Sequence, residues 1–261
     1  MKTTLLALFV TALSFQAFAQ SPSMSEGRFC ADRLDKNFVK RLALDSNNLM
    51  NFSNQGGLID GGVCWWHSRF QRNALYLTIF KPNLPRASEE ETYQIVKRIR
   101  AATGVVVITG YNNFSEFSSA NQGIIQAELE KWQKGDSFAR FAWIRGLSGK
   151  SKVTPEKLKN LMDQIYQAVE VNQNISFNRL QIKGIEAHAW LVVSMEKFPG
   201  GYNLKVVDSN YSDEPQTYTY REGETSLMER HFNFSFTPYL EQTNELNKIY
   251  SAITDLCVQN N

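Results

Sequence analysis

The chain has 261 residues, with 28 Lys and Arg against 26 Asp and Glu, a formal net charge of +2. A nearly neutral chain with scattered basic residues has no general attraction for nucleic acid or anionic lipid, so neither is expected as a partner. The short basic run Lys97-Arg98-Arg100 falls on a predicted helix and reads as a solvated face.

The first residues read as a leader. Lys2 is followed by the apolar stretch Leu5 to Phe18 and the small-x-small site Ala17-Phe18-Ala19. That is the pattern of a secretory signal peptide over 1–19, cleaved after Ala19. It places the mature chain in the periplasm or outside the cell. No later stretch approaches the roughly 18 apolar residues of a membrane span. Residues 20–261 are then expected to form a single domain.

Residues 20–60 are polar and irregular. Asp32 to Leu44 is compatible with a helix, whereas Ser46-Asn47-Asn48 and Ser53-Asn54-Gln55-Gly56-Gly57 read as loops. From Cys64 the pattern turns helical, with Trp66, Phe70, Ala74 and Leu77 on one face until Pro82 and Pro85. Ser88-Glu89-Glu90-Glu91 opens the next helix with a serine cap and an acidic first turn, and Gly104 stops it. Val105 to Ile108 is a short buried strand or an extended connection. Residues 120–133 look helical. Thr154-Pro155-Glu156 starts another helix, with proline at its first position.

After residue 178 the apolar period changes to two. Ile185 to Met195 and Tyr202 to Val207 read as strands joined by the turn Lys197-Phe198-Pro199-Gly200-Gly201, and Gln216 to Arg221 as a third. A final helix is expected from Thr237-Pro238 through Ile249 towards Cys257. The expected fold is α+β: helix-rich over about 58–175, sheet-rich over about 178–225, with a C-terminal helix over about 237–256.

The three cysteines are Cys30, Cys64 and Cys257. In an oxidising compartment an odd count leaves one thiol over. Domain termini often lie close together, so Cys30 with Cys257 is the expected bridge and Cys64 the free thiol. The alternative is a bridge between Cys30 and Cys64.

Cys64 follows Gly61-Gly62-Val63, where a loop runs into a helix. A helix N-terminus stabilises a thiolate, and a nearby histidine can pair with it. The Cys64 N–H would be a natural donor to an oxyanion. His188 is the candidate base. A turn centred on Phe198 would place it opposite Asp208, whose carboxylate could fix its tautomer. Asn210 competes for that orienting role, and His67, one helical turn from Cys64, competes as the base. His231 reads as surface or local packing. Three histidines this scattered make poor metal-ligand spacing, so neither a metal nor another cofactor is expected.

Asn54-Gln55-Gly56, then Gly61-Gly62-Val63-Cys64-Trp65-Trp66, then Ala187-His188-Ala189-Trp190 and Val207-Asp208-Ser209-Asn210, resemble the signature of the papain-like cysteine peptidase superfamily in order and context. Gln55 stands nine residues before Cys64 where the papain pattern has six, with Leu58-Ile59-Asp60 as the extra loop. The resemblance implies a papain-like two-lobed fold, with a helical half carrying Cys64 and an antiparallel sheet carrying His188 and Asp208. It also implies roles: Cys64 as nucleophile, His188 as base, Asp208 as the orienting residue and Gln55 as side-chain donor to the oxyanion.

The expected activity is amide hydrolysis by a monomer on a protein or peptide, peptidoglycan peptides included. A transglutaminase-like acyltransferase, a cell-wall peptide amidase and a non-catalytic secreted binding protein are the alternatives.

Overall fold

The computed structural model describes residues 24–57, 62–140, 150–183, 187–211, 214–229, 233–240 and 244–259. The leader over 1–19, Gly61 and His231 lie outside the described residues. Among the described residues, no helix is long and apolar enough to cross a membrane.

The N-terminal part is helical. The single helix expected over Asp32–Leu44 is instead two, α1 (Glu26–Leu34) and α2 (Lys36–Ala43), because Asp35 leaves the helical conformation and its side chain accepts the Asn37 N–H to start the second. α3 spans Cys64–Leu77. It ends earlier than the prolines suggested, since Thr78-Ile79-Phe80-Lys81 forms strand β1, a run rich in β-branched and aromatic residues. β1 pairs in parallel with β2 (Val106–Thr109), and α4 (Glu89–Ala101) links the two behind a Ser88–Glu91 capping box. α5 (Phe114–Ala120) and α6 (Gln122–Arg140) follow, and α7 (Pro155–Tyr166) is capped by Thr154.

The C-terminal part is a six-stranded antiparallel sheet in the order β6-β5-β4-β3-β8-β7. Its strands are β3 (Ser176–Gln181), β4 (Ala187–Phe198), β5 (Gly201–Asp208), β6 (Gln216–Arg221), β7 (Leu227–Glu229) and β8 (Phe234–Leu240). The edge strands β6 and β7 approach each other, so the sheet is nearly a barrel. The fold is therefore α+β, as expected from the change of period. The helix expected from Thr237-Pro238 is corrected: those residues belong to β8, and α8 runs over Glu245–Gln259. Pro238 pairs with Leu180 of β3 and lies beyond Phe236, the last β8 residue paired to β7.

Three buried clusters result. One lies among α4, α5 and α6 (Val96, Ile99, Phe114, Ile125, Leu129). Another fills the sheet interior (Trp190, Val192, Leu204, Tyr220, Phe236). The third joins α1, α3 and α8 to the outer face of β4 (Phe29, Tyr76, Leu191, Ile253). Across that last cluster Cys30 in α1 and Cys257 in α8 form a disulfide, with Cα atoms 5.6 Å apart and a sequence separation of 227.

Closing so long a loop restricts the unfolded chain by about 5 kcal/mol in the chain-entropy account. The double substitution Cys30→Ala with Cys257→Ala is expected to lower unfolding free energy towards that amount in urea titration. An unchanged midpoint would contradict it.

Candidate active site

Cys64 is the first residue of α3, 7% exposed and outside any disulfide. The preceding Val63 makes no side-chain cap, so the positive end of the helix is presented at the thiol. Asn54 shapes the approach. Its Oδ1 accepts the Val63 N–H at 2.5 Å, its main-chain N–H donates to the Ser209 carbonyl at 2.6 Å, and its Nδ2 donates to Asn210 Oδ1 at 3.3 Å. One side chain thus ties the loop before Cys64 to the loop after Asp208. Gly62 sits at φ 79°, where a Cβ would collide with the Asn54 amide, so only glycine fits the turn. Gln133 of α6 donates to the Gly62 carbonyl at 3.0 Å.

His188 reaches Asp208 by a register different from the one expected. The turn is tighter, with Phe198 paired to Gly201, and this register continues to Ser194 opposite Lys205. The ladder then shifts, leaving Val193 as an extra residue, and continues with Val192 opposite Val206 and Trp190 opposite Asp208. His188 is therefore diagonal to Asp208, not opposed to it, yet on the same face. Without the bulge the turn register would carry Leu191 opposite Asp208 and turn His188 outward. The packing records the change of phase. Met195, beyond the bulge, faces the sheet interior together with Val192 and Trp190, while Val193, Leu191 and Ala189 face α3.

His188 Nε2 donates to Asp208 Oδ1 at 2.6 Å, and the same oxygen accepts the Asn210 N–H at 2.9 Å. Cys64 is near enough to the ring to contribute to its electrostatics, and Sγ lies 3.9 Å from the carbonyl oxygen of the preceding residue, Ala187. Burial opposes protonation of His188. The charges of Asp208 and Cys64 and their hydrogen bonds outweigh it and hold the imidazole well above its ordinary value. Below the pair lies an apolar plug: Trp190 is fully buried, with Tyr218 and Phe236 at ring-centroid distances of 4.7 and 5.1 Å. Water excluded there strengthens the ion pair.

The competing residues are accounted for. His67 Nε2–H donates to the Phe52 carbonyl at 2.9 Å, and the ring packs edge-on to Phe52. Burial, only partly offset by that bond, lowers its pKa to about 4, so it is neutral and braces the 50s loop against α3. Asn210 bonds Asn54 and not the imidazole. Gln55 is exposed, and its main-chain carbonyl accepts from Gln126 at 3.0 Å. The structure thus brings Cys64, His188 and Asp208 together, while Gln55 is exposed. Asn54 is the residue that sequence reasoning passed over. Its signal was its place before a glycine-rich loop, where a short amide can cap backbone N–H groups.

Two outcomes follow. A folded-state pKa above the unfolded one means that the His188–Asp208 pair adds stability fully below pH 6.5, and that this is lost as pH rises through the raised value. Histidine NMR titration should find His188 still protonated above pH 6.5 in the native protein and titrating at lower pH in Asp208→Asn, where Cys64 alone opposes burial. Equal titration in both would refute the pairing. Second, deleting Val193 should leave all other β4–β5 pairs and the His188 titration intact, whereas deleting Leu191 should turn His188 away and restore ordinary titration. The opposite ranking would rule out the phase-shift account.

No protein-family model, no curated protein and no solved structure matches this chain.

Proposed function

We propose that the protein is a secreted cysteine hydrolase of papain-like design, cleaving amide bonds in a protein or peptide. The observation that carries this reading is His188 bonded to Asp208 and close enough to interact with Cys64, the first residue of a largely buried helix. A cationic imidazolium beside Sγ is the environment in which a thiol reacts as its thiolate.

In the proposed cycle, Cys64 Sγ attacks the amide carbon and the carbonyl π electrons move to oxygen. The Cys64 N–H, and the Gln55 amide if it reaches the site, donate to that oxyanion. Collapse breaks the C–N bond, and the leaving amine takes the proton from His188, giving a thioester. His188 then removes a proton from water, which attacks the thioester. The acid departs, and Sγ leaves as thiolate beside a reprotonated His188. Asp208 keeps the imidazole in place and stabilises its charged form throughout. The leader sequence supports a periplasmic or extracellular setting, where peptidoglycan peptides are substrates beside proteins. An acyl transfer to an amine would use the same three groups, and product analysis with added amine separates it from hydrolysis.

The decisive measurement is the rate of Cys64 carboxamidomethylation by iodoacetamide near pH 6. It is expected to exceed that of an ordinary thiol and to fall to that level in His188→Ala. A native rate no faster than a free cysteine would remove the basis of the proposal. On a cleaved peptide, Cys64→Ala should abolish turnover. Gln55→Ala should lower kcat by about 10²–10³ if its amide serves the oxyanion, and leave kcat unchanged if the main chain serves alone.

A further inference from the structure

Arg179 is a cation beside Cys64 and His188 that the proposed chemistry does not use. On β3 it pairs with Ala189 of β4 and with Tyr239 of β8. Directly opposed residues share a face of a sheet, and Ala189 lies on the face that packs against α3. His188 is the neighbour of Ala189 along β4, and Trp65, the neighbour of Cys64 along α3, packs against the same cluster. The Arg179 guanidinium carbon lies 6.0 Å from the centre of the Trp65 ring and 5.5 Å from that of Tyr239. It is therefore one ladder position from the base and over the ring of the residue that follows the nucleophile. Lys157 Nζ, 5.8 Å from the Tyr239 ring centre, adds a second positive charge.

The donors of Arg179 are unevenly placed. The residue is half-buried, and its Nε is covered and without a hydrogen-bond partner. Nη1 and Nη2, bonded by no described residue, retain accessible surface. Other arginines that lie over rings are completed differently. Arg41, Arg69, Arg72 and Arg100 each pair with a carboxylate as well. Arg179 has the rings and, among the described residues, no acid. Rings engage the flat face of a guanidinium and leave its in-plane fork of N–H groups to donate.

We propose that Arg179 is a specificity-determining residue that binds a carboxylate of the substrate, one or two residues from the scissile bond. Trp65 and Tyr239 hold the guanidinium in place, and its Nη groups donate to the carboxylate oxygens. The proposal rests on the hydrolase reading above and gives its amide substrate a charge preference. Two sources share this chemistry: the side chain of an aspartate or glutamate, and the C-terminal carboxylate of a peptide.

The test alkylates Cys64 with N-iodoacetyl amino acids, in which Sγ displaces iodide from a methylene carbon and no turnover is needed. The reagents carry glutamine amide (neutral), glutamate α-amide (acidic side chain) or glutamine with a free α-carboxylate (terminal acid), each with and without an intervening glycine. Second-order rate constants are measured for the native protein, Arg179→Met, Arg179→Lys and Arg221→Met, with near-UV circular dichroism to establish folding. The ratio of acidic to neutral reagent within each protein cancels any general change in thiol reactivity. The native protein should favour at least one acidic reagent roughly tenfold or more, as a charged hydrogen bond implies, and the one favoured identifies the source. That preference should be lost in Arg179→Met and reduced in Arg179→Lys, which keeps the charge without the planar fork. It should persist in Arg221→Met, which removes an exposed guanidinium opposite Gly201, at the other end of the β4–β5 hairpin from His188. No preference in the native protein overturns the proposal without recourse to any variant. So does a preference that is equal in the native protein and Arg179→Met, which would assign it to the His188 charge. Slow alkylation of the native protein by iodoacetamide itself counts against the hydrolase reading instead, and the ratios still decide whether Arg179 binds a carboxylate.

Discussion

The docking of α3 into the middle of the molecule is the contact on which the rest depends. From Phe70 to Leu77 the helix is buried without interruption, although it carries Gln71, Arg72 and Asn73. Its polar residues tie it to several neighbouring elements. Ser68 donates to the Ala189 carbonyl of β4 at 3.1 Å, Gln71 to the Asn48 carbonyl at 2.8 Å, and Asn73 to the Ile99 carbonyl of α4 at 3.0 Å. Arg69 and Arg72 both reach Glu245 in the first turn of α8, and Arg69 also pairs with Asp136 of α6. Buried charges of this kind contribute little net stability, but they penalise any packing that leaves one unpaired. The position and rotation of Cys64 are set by these bonds.

With α3 fixed, the site needs only that β4 present His188 at the right height and on the right face. The Ser68–Ala189 bond sets the height, and the bulge at Val193 sets the face. The imidazole then sits at the end of the sheet interior, above Trp190. Asp208 there is 3% exposed and His188 7%. Isolation from water is what allows one carboxylate to hold a buried imidazolium against its desolvation.

Legibility in the sequence followed the range of the interactions involved. The caps at Ser88 and Thr154 were readable because three or four adjacent residues make them. The β4–β5 hairpin was readable from alternation, and Cys64, His188 and Asp208 from the types and order of the residues. The bulge was not, because Val193 differs from its neighbours only in what packs against each face of β4. β8 was misread since Thr-Pro is also a common helix start. The alternation Phe234-Ser235-Phe236-Thr237 was the competing signal, and pairing with β3 decided it. Asn54 was overlooked in favour of Gln55 because its partners, Ser209 and Asn210, are distant in sequence.

The disulfide bears on how such a chain matures. Cys30 belongs with Cys257, but in a chain emerging N-terminus first it meets Cys64 long before its native partner exists. A premature Cys30–Cys64 bond would tie up the Cys64 sulfur in a covalent cross-link and keep Cys30 from its partner in α8. Correct pairing thus has a kinetic competitor built into the order of the cysteines. Thiol–disulfide exchange offers the escape, since a mispaired bond yields to attack by a late-arriving thiolate. Cys257 is in a position to act as that resolving thiol, and the same exchange that closes the native loop would release Cys64.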